Sequence, residues 1–473
     1  MRMRLRSAAL FTVAAALTAA TITPADAGTG APAAVATWST DLGTGDASGV
    51  DVTDGAARLD QAHAFTAPLD EGGLAEGGRR VPTGLLTLPT QTLPARTDRV
   101  DSTVVGDVPA GSTASVDVRG VRANGNWTEW IPSSPDAGPD TRTGTTTLPE
   151  ATSQVQARLV LTGVGAAVPS VSAVTLTARP ATTLTESAPA AEGAALSYRV
   201  FATREGLAGS TTANGHVIAD RDRFVALPSR RALSANGKSD YSVKVCAPGG
   251  KCAFAPVWDV GPWNTKDDYW NPGPRRQQWN DLPQGTPQAQ AAYKDDYNGG
   301  KDQYDRAVAN PAGIDLGDGV FWDDLGLTNN SYVTVDYLWT GDVRLSKVVG
   351  NDPVKVLAAP DAAAEVVGVA AEGAAVPVRC ALTVRGSSWL QIGVNQFVAA
   401  TAVPQAGQVG TCAATAGAPK TAATGPTATT RAATSPAATT AAATPSSTGA
   451  PEPTPAVTPA PGATRTAKAS AAG

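Results

Sequence analysis

Histidine is almost missing from this chain: 473 residues contain two, His63 and His216. Zinc hydrolases need several imidazoles around the metal, so that class is excluded. No histidine follows any of the four cysteines, and no Gly-x-Ser-x-Gly elbow occurs, which removes the common Cys-His and Ser-His-Asp nucleophiles. Aromatic residues make up 5% of the chain, and the net charge of −5 leaves no concentrated basic face for nucleic acid. After the first 27 residues no stretch approaches the roughly 20 apolar residues that span a bilayer. What remains is carboxylate chemistry, or binding without chemistry.

The amino terminus has Arg2, Arg4 and Arg6, an apolar run from Ala8 to Ala20, and the small-x-small site Ala25-Asp26-Ala27. This predicts a signal peptide over residues 1–27 and a secreted protein, extracellular or associated with the cell wall. Gly28 stands where a lipoprotein needs cysteine, so no membrane anchor is expected. In an oxidising compartment the cysteines are expected as staples. Cys246 and Cys252 flank the turn Ala247-Pro248-Gly249-Gly250, leaving Cys380 to pair with Cys412.

With 48 glycines and 36 prolines the chain is broken too often for long helices, so a mainly β fold is expected. Short alternating segments between residues 37 and 180 predict a β-sandwich. Its segment VDVRGVRANGNWTEW resembles strands of galactose-binding-like jelly rolls, with Trp127 and Trp130 either on a carbohydrate-binding face or in the core. Residues 181–195 read as a linker, 196–341 as a second β module, and 348–412 as a small third one. The third resembles a bacterial SH3-like domain in its opening strand, its Pro-containing turn before Glu365, and Ser388-Trp389-Leu390-Gln391-Ile392. Residues 413–473 are Ala, Thr, Pro and Ser with almost no large apolar side chain, a composition that predicts disorder.

The second module carries five short motifs in order: TTANGHVI, FVALPS, VKVC, VWDVGPW and GIDLGDGVFWDDLG. This series resembles the six-stranded double-psi β-barrel of rare-lipoprotein-A-like proteins, expansins and the membrane-bound lytic transglycosylase A family. The resemblance implies a polysaccharide groove with Asp259 and Asp315 on its floor. One carboxyl with a raised pKa protonates the glycosidic oxygen, then takes a proton from the incoming hydroxyl. Two departures qualify it. The histidine that precedes the Leu-Pro strand in the rare-lipoprotein-A branch is replaced by Asp222-Arg223-Phe224, and His216 reads as a surface-turn residue. About 50 residues are also inserted between Pro262 and Gly313, rich in aromatic residues. Trp263, Trp270, Trp279 and Trp322 are therefore candidate sugar-stacking residues, with a small core of the insertion's own as the alternative. The acidic pairs Asp267-Asp268 and Asp295-Asp296 lack calcium-loop spacing, and no metal or cofactor is expected. The expected activity is lytic transglycosylase-like cleavage of peptidoglycan by a monomer. The alternative is an expansin-like or adhesive protein that binds cell-wall polysaccharide without cutting it.

Overall fold

A computed structural model describes residues 35–66, 81–137, 141–181, 193–350 and 353–413. The predicted signal peptide, most of the predicted linker and the predicted disordered tail after residue 413 lie outside the described residues.

Between residues 36 and 179 the described residues form one antiparallel sheet of eleven strands. Its main path runs Asp46–Ser48, Thr83–Thr87, Thr141–Thr162, Gln91–Asp107, Ser170–Arg179, Ala56–Leu59, Val50–Thr53. The first and last strands of this path are consecutive in sequence, with only Gly49 between them, so the sheet curls until its ends nearly meet. Hydrogen bonding is thus continuous around the predicted sandwich. Gly49 makes the corner at φ +63°, and a Cβ there would stand 2.4 Å from Ala64 Cα. Alternating side chains such as Val100, Val104, Leu159, Leu161, Val174 and Leu176 fill the enclosed core.

The next six strands close a barrel: β1 (Leu196–Glu205), β2 (Val225–Leu227), β3 (Ser242–Cys246), β4 (Cys252–Val260), β5 (Ala312–Gly317) and β6 (Ser331–Tyr337). Around the barrel the order is β1, β6, β3, β4, β2, β5 and back to β1; β2 covers the second half of β4, and the first half at Ala253 and Phe254 is left for a partner outside the ring. The pairs β1/β5 and β2/β4 are parallel and the others antiparallel. Small and branched residues, Val200, Ala202, Val225, Val243, Ala255, Ile314 and Val333 among them, pack the interior. Cys246 and Cys252 are bonded across the β3/β4 turn as expected.

The third module is joined to the barrel by its backbone. Strand Val366–Ala370 pairs in parallel with β4 at Ala253 and Phe254. Phe254 and Leu338 then share a core with Val348, Val356, Leu390, Ile392 and Val398. The second expected disulfide, Cys380–Cys412, spans 32 residues and fastens the end of this module to strand Cys380–Val384. Cross-linking a loop of that length restricts the unfolded chain. Cys412→Ser is therefore expected to lower unfolding stability by roughly 3 kcal/mol, measured by urea denaturation, with the barrel's own signals unchanged at low denaturant.

The eleven-stranded sheet is likewise locked to the barrel. Trp130 belongs to the barrel's core cluster, is fully buried, and donates its indole N–H to Leu233 O at 3.2 Å. Its ring lies between Arg119 and Arg158, whose guanidinium carbons stand 4.2 and 4.4 Å from the centroid. Buried Asp117 receives Arg158 at 2.8 Å and Arg230, from the turn after β2, at 3.2 Å. Of the two readings of Trp130 the structural one holds, although the core it enters is the neighbour's. Trp127 is partly buried and also lies under Arg119, at 4.3 Å.

Candidate functional site

The two sequence-predicted aspartates fall in one row across the barrel. Thr203 on β1 pairs with Asp315 on β5, Asp315 with Ala226 on β2, and Ala226 with Asp259 on β4. Directly opposed residues project from the same face, so both carboxyl groups stand on that face with only a methyl between them. Asp315 accepts a hydrogen bond from the Thr203 hydroxyl. Asp259 Oδ1 accepts from its neighbour Val260 N at 2.7 Å and from Ala213 N at 2.8 Å. Ala213 lies in the Thr-Ala-Asn-Gly turn, which is held by Thr212 Oγ1 donating to Asn214 Oδ1 and by His216 N donating to both side chains. The motif's role here is to aim a backbone N–H at Asp259.

A third carboxyl group completes the cluster. Glu205, two residues beyond Thr203 and hence on the same face, pairs with Gly317, where a Cβ would stand 2.9 Å from the Phe224 ring. Glu205 hydrogen-bonds Asp259, while its Oε2 is buried without a partner. Glu205 is 6% exposed and Asp315 8%, whereas Asp259 is partly open to solvent. Burial first, then the charges of Asp259 and Asp315, hold the Glu205 pKa well above the ordinary carboxylate range. Burial also raises Asp259, against the pull of its hydrogen bonds from Glu205, Val260 N and Ala213 N. Like charges grouped in a low-dielectric setting oppose one another's ionisation, and the upward push is larger on Glu205 than on Asp259. The arrangement is a buried acid beside a carboxylate anchored by backbone N–H groups, suited to proton transfer. Among the described residues no three His, Cys, Asp or Glu side chains are grouped to hold a metal ion.

The aromatic expectations divide. Trp270 is fully buried among Tyr269, Tyr337 and Trp339 in the barrel core, with its N–H on Glu129 Oε1 at 2.5 Å, so its ring meets protein on all sides. Trp263 is 5% exposed and packs on Ala289, Ala292 and Val308 of the insertion, its N–H on Asn310 Oδ1. Trp263 thus lies in a small core of the insertion's own and Trp270 in the core of the barrel, so neither ring is open to a sugar face. Trp279 is partly exposed against Tyr297, and partly exposed Trp322 has the Arg204 and Arg221 guanidinium groups 4.0 and 4.6 Å from its centroid. The acidic pair Asp267-Asp268 is used internally, on Arg276 and Arg231.

Two features escaped the sequence reading. Glu205 closes the strand LSYRVFATRE without any motif of its own. Trp258, beside Asp259 and partly exposed, meets His216 at 4.6 Å between ring centroids, and His216 Nε2 bonds Asp222 Oδ2 at 2.7 Å. His216 is thus built into the wall of the site, where the sequence suggested only a surface turn.

Residues 196–336 match the family described as a domain of unknown function (DUF8814), and the match runs from the first residue of β1 to the penultimate residue of β6. No curated protein matches the chain. Among solved structures, the xylan-binding module CBM15 is 17% identical over 27% of this chain and 98% of its own, with a TM-score of 0.14. The catalytic unit of a thermostable GH87 α-1,3-glucanase from Streptomyces thermodiastaticus strain HF3-3 is 16% identical over 32% of this chain and 31% of its own, with a TM-score of 0.12. At these scores neither likeness bears on the site.

Proposed function

We propose that the chain is a secreted protein that cleaves a cell-wall glycan, peptidoglycan by preference, at the Glu205–Asp259–Asp315 cluster of a double-psi-type barrel. The observation that supports this reading is the register that sets Asp315 and Asp259 in one row on the barrel with buried Glu205 beside them, where burial and the two neighbouring carboxylates raise the Glu205 pKa. Protonated Glu205 donates to the glycosidic oxygen as the bond to the anomeric carbon breaks. The resulting carboxylate then takes the proton of the sugar hydroxyl that closes on that carbon, so the strand ends in an anhydro ring and no water is consumed. Asp259 holds Glu205 in place and Asp315 adds negative charge near the developing cation. The third module, in its SH3-like likeness, keeps the protein on the wall. Trp258 and Trp279, both partly exposed, are the rings available to a sugar face.

Purified protein incubated with peptidoglycan sacculi is expected to release anhydromuropeptides by mass spectrometry. A wild type that pellets with sacculi and releases none sinks the enzymatic reading. That outcome belongs to the second reading, expansin-like binding without cleavage, which the low exposure of Glu205 and Asp315 favours. The rate also has an expected pH dependence. Because the reaction needs Glu205 protonated and its pKa is raised, turnover should fall as pH rises through that elevated value and not at the ordinary glutamate range. A profile still rising above neutral pH contradicts the assignment of Glu205 as acid.

A further inference from the structure

At the other end of β1, nine residues and about 30 Å along the strand from Glu205, a cleft of about 600 Å³ opens between the eleven-stranded sheet and the barrel. Its size lies within the usual range of small-molecule sites, and module junctions are where such sites concentrate. The floor holds Glu129, partly buried and fixed by three donors. Trp270 and Trp339 give their indole N–H groups to Oε1 at 2.5 and 3.0 Å, and Asn271 Nδ2 donates to Oε2 at 2.7 Å. Oε2 therefore retains accepting capacity on a carboxylate that cannot turn away.

Charge around the cleft is otherwise balanced. Arg122 is taken up by Glu150 and Asp342, and Arg231 by Asp268. This leaves the Glu129 carboxylate as acceptor and the exposed Arg275 guanidinium as donor, with exposed Thr147 and the apolar rings of exposed Pro149 and Pro274 on the rim. An ion would meet an uncompensated like charge from one of the two. A neutral ligand that offers many hydroxyl groups and apolar C–H faces satisfies both at once, with no charge to desolvate. We infer that this cleft is a second ligand site, taking a neutral oligosaccharide. The inference stands independently of the carboxylate cluster.

Indole N–H groups on Glu129 make Trp270 and Trp339 reporters of occupancy. The full chain is titrated with N-acetylchitotetraose and with xylotetraose, following tryptophan fluorescence and calorimetry. Saturable binding of at least one is expected, weakened about tenfold in Arg275→Ala through loss of a charged hydrogen bond, and unchanged in Glu205→Gln. Arg275 is exposed, so its variant keeps the fold, and a Thr147→Val variant probes the opposite wall. The site is overturned by no saturable binding of either sugar up to about 10 mM, by binding indifferent to both cleft variants, or by binding lost in Glu205→Gln, which places the sugar on the barrel face instead. Preferential binding of an alanyl dipeptide overturns the assignment of ligand class.

Discussion

Glu205→Gln is expected to reduce release of anhydro products by 10²- to 10⁴-fold, about the contribution of a positioned general acid, while making the protein more stable than wild type above neutral pH. The two effects have one source. Glu205 binds its proton more tightly in the folded chain than in the unfolded one, because burial and two neighbouring carboxylates oppose its charge. Its contribution to stability is complete below the unfolded value and is lost as pH rises through the raised folded value. Glutamine keeps the shape and a donor but has no proton to lose, so the variant's unfolding midpoint should be flat where that of the wild type falls. Thermal melts from pH 5 to pH 9, run beside sacculus digestion, test both halves. Loss of activity together with loss of stability at all pH values gives Glu205 a structural role; unchanged activity removes it from the mechanism. Asp259→Asn should lose activity also, since the amide keeps an oxygen for Ala213 N and Val260 N but removes the charge beside Glu205.

Asp117→Ala is expected to cost about 3–5 kcal/mol, the largest stability loss of any single polar substitution proposed for this chain. Asp117 is buried, yet its carboxyl lies below the ordinary range because Arg230 and Arg158 outweigh the burial. One carboxylate serves two guanidinium groups, and the shortage shows on Arg158. Burial, helped by the charge of Arg230, pushes its pKa down to about 10 despite Asp117. Removing Asp117 leaves two cations facing each other in the joint between sheet and barrel. Urea denaturation of Asp117→Ala, Arg158→Met and the double variant measures this. The double variant should recover much of the single loss, because breaking one side of a buried pair is costlier than replacing both. Additive effects, with no recovery, mean that the pair is not coupled.

The series of motifs marked four of the six strands and both aspartates, because FVALPS, VKVC, VWDVGPW and GIDLGDGVFWDDLG fall on β2, β3, the end of β4 and β5, while TTANGHVI is the turn that meets Asp259. The paired cysteines were legible from a hairpin turn and from elimination. Glu205 was not, because its importance arises from burial beside Asp259 and Asp315, which lie 54 and 110 positions away in the chain. Nothing in the local alternation of LSYRVFATRE distinguishes that glutamate from a solvated one. The tryptophans misled for a related reason. A ring in a polar, turn-rich insertion looks destined for solvent, but Trp270 is carried back by the 263–311 segment onto Tyr337 and Trp339. Trp130 shows the same limit from the other side, because its core lies on a different stretch of chain.

The parallel pairing of β4 with Val366–Ala370 bears on how the protein can be cut. A version ending before residue 351 is chemically a complete barrel, yet it uncovers the backbone donors and acceptors of Ala253 and Phe254 together with the apolar ring of Phe254. Such a bare β margin recruits other chains. The shortened protein should self-associate in proportion to its concentration, and a charged residue at position 254 should suppress it. The third module thus serves as the barrel's cover against its own kind.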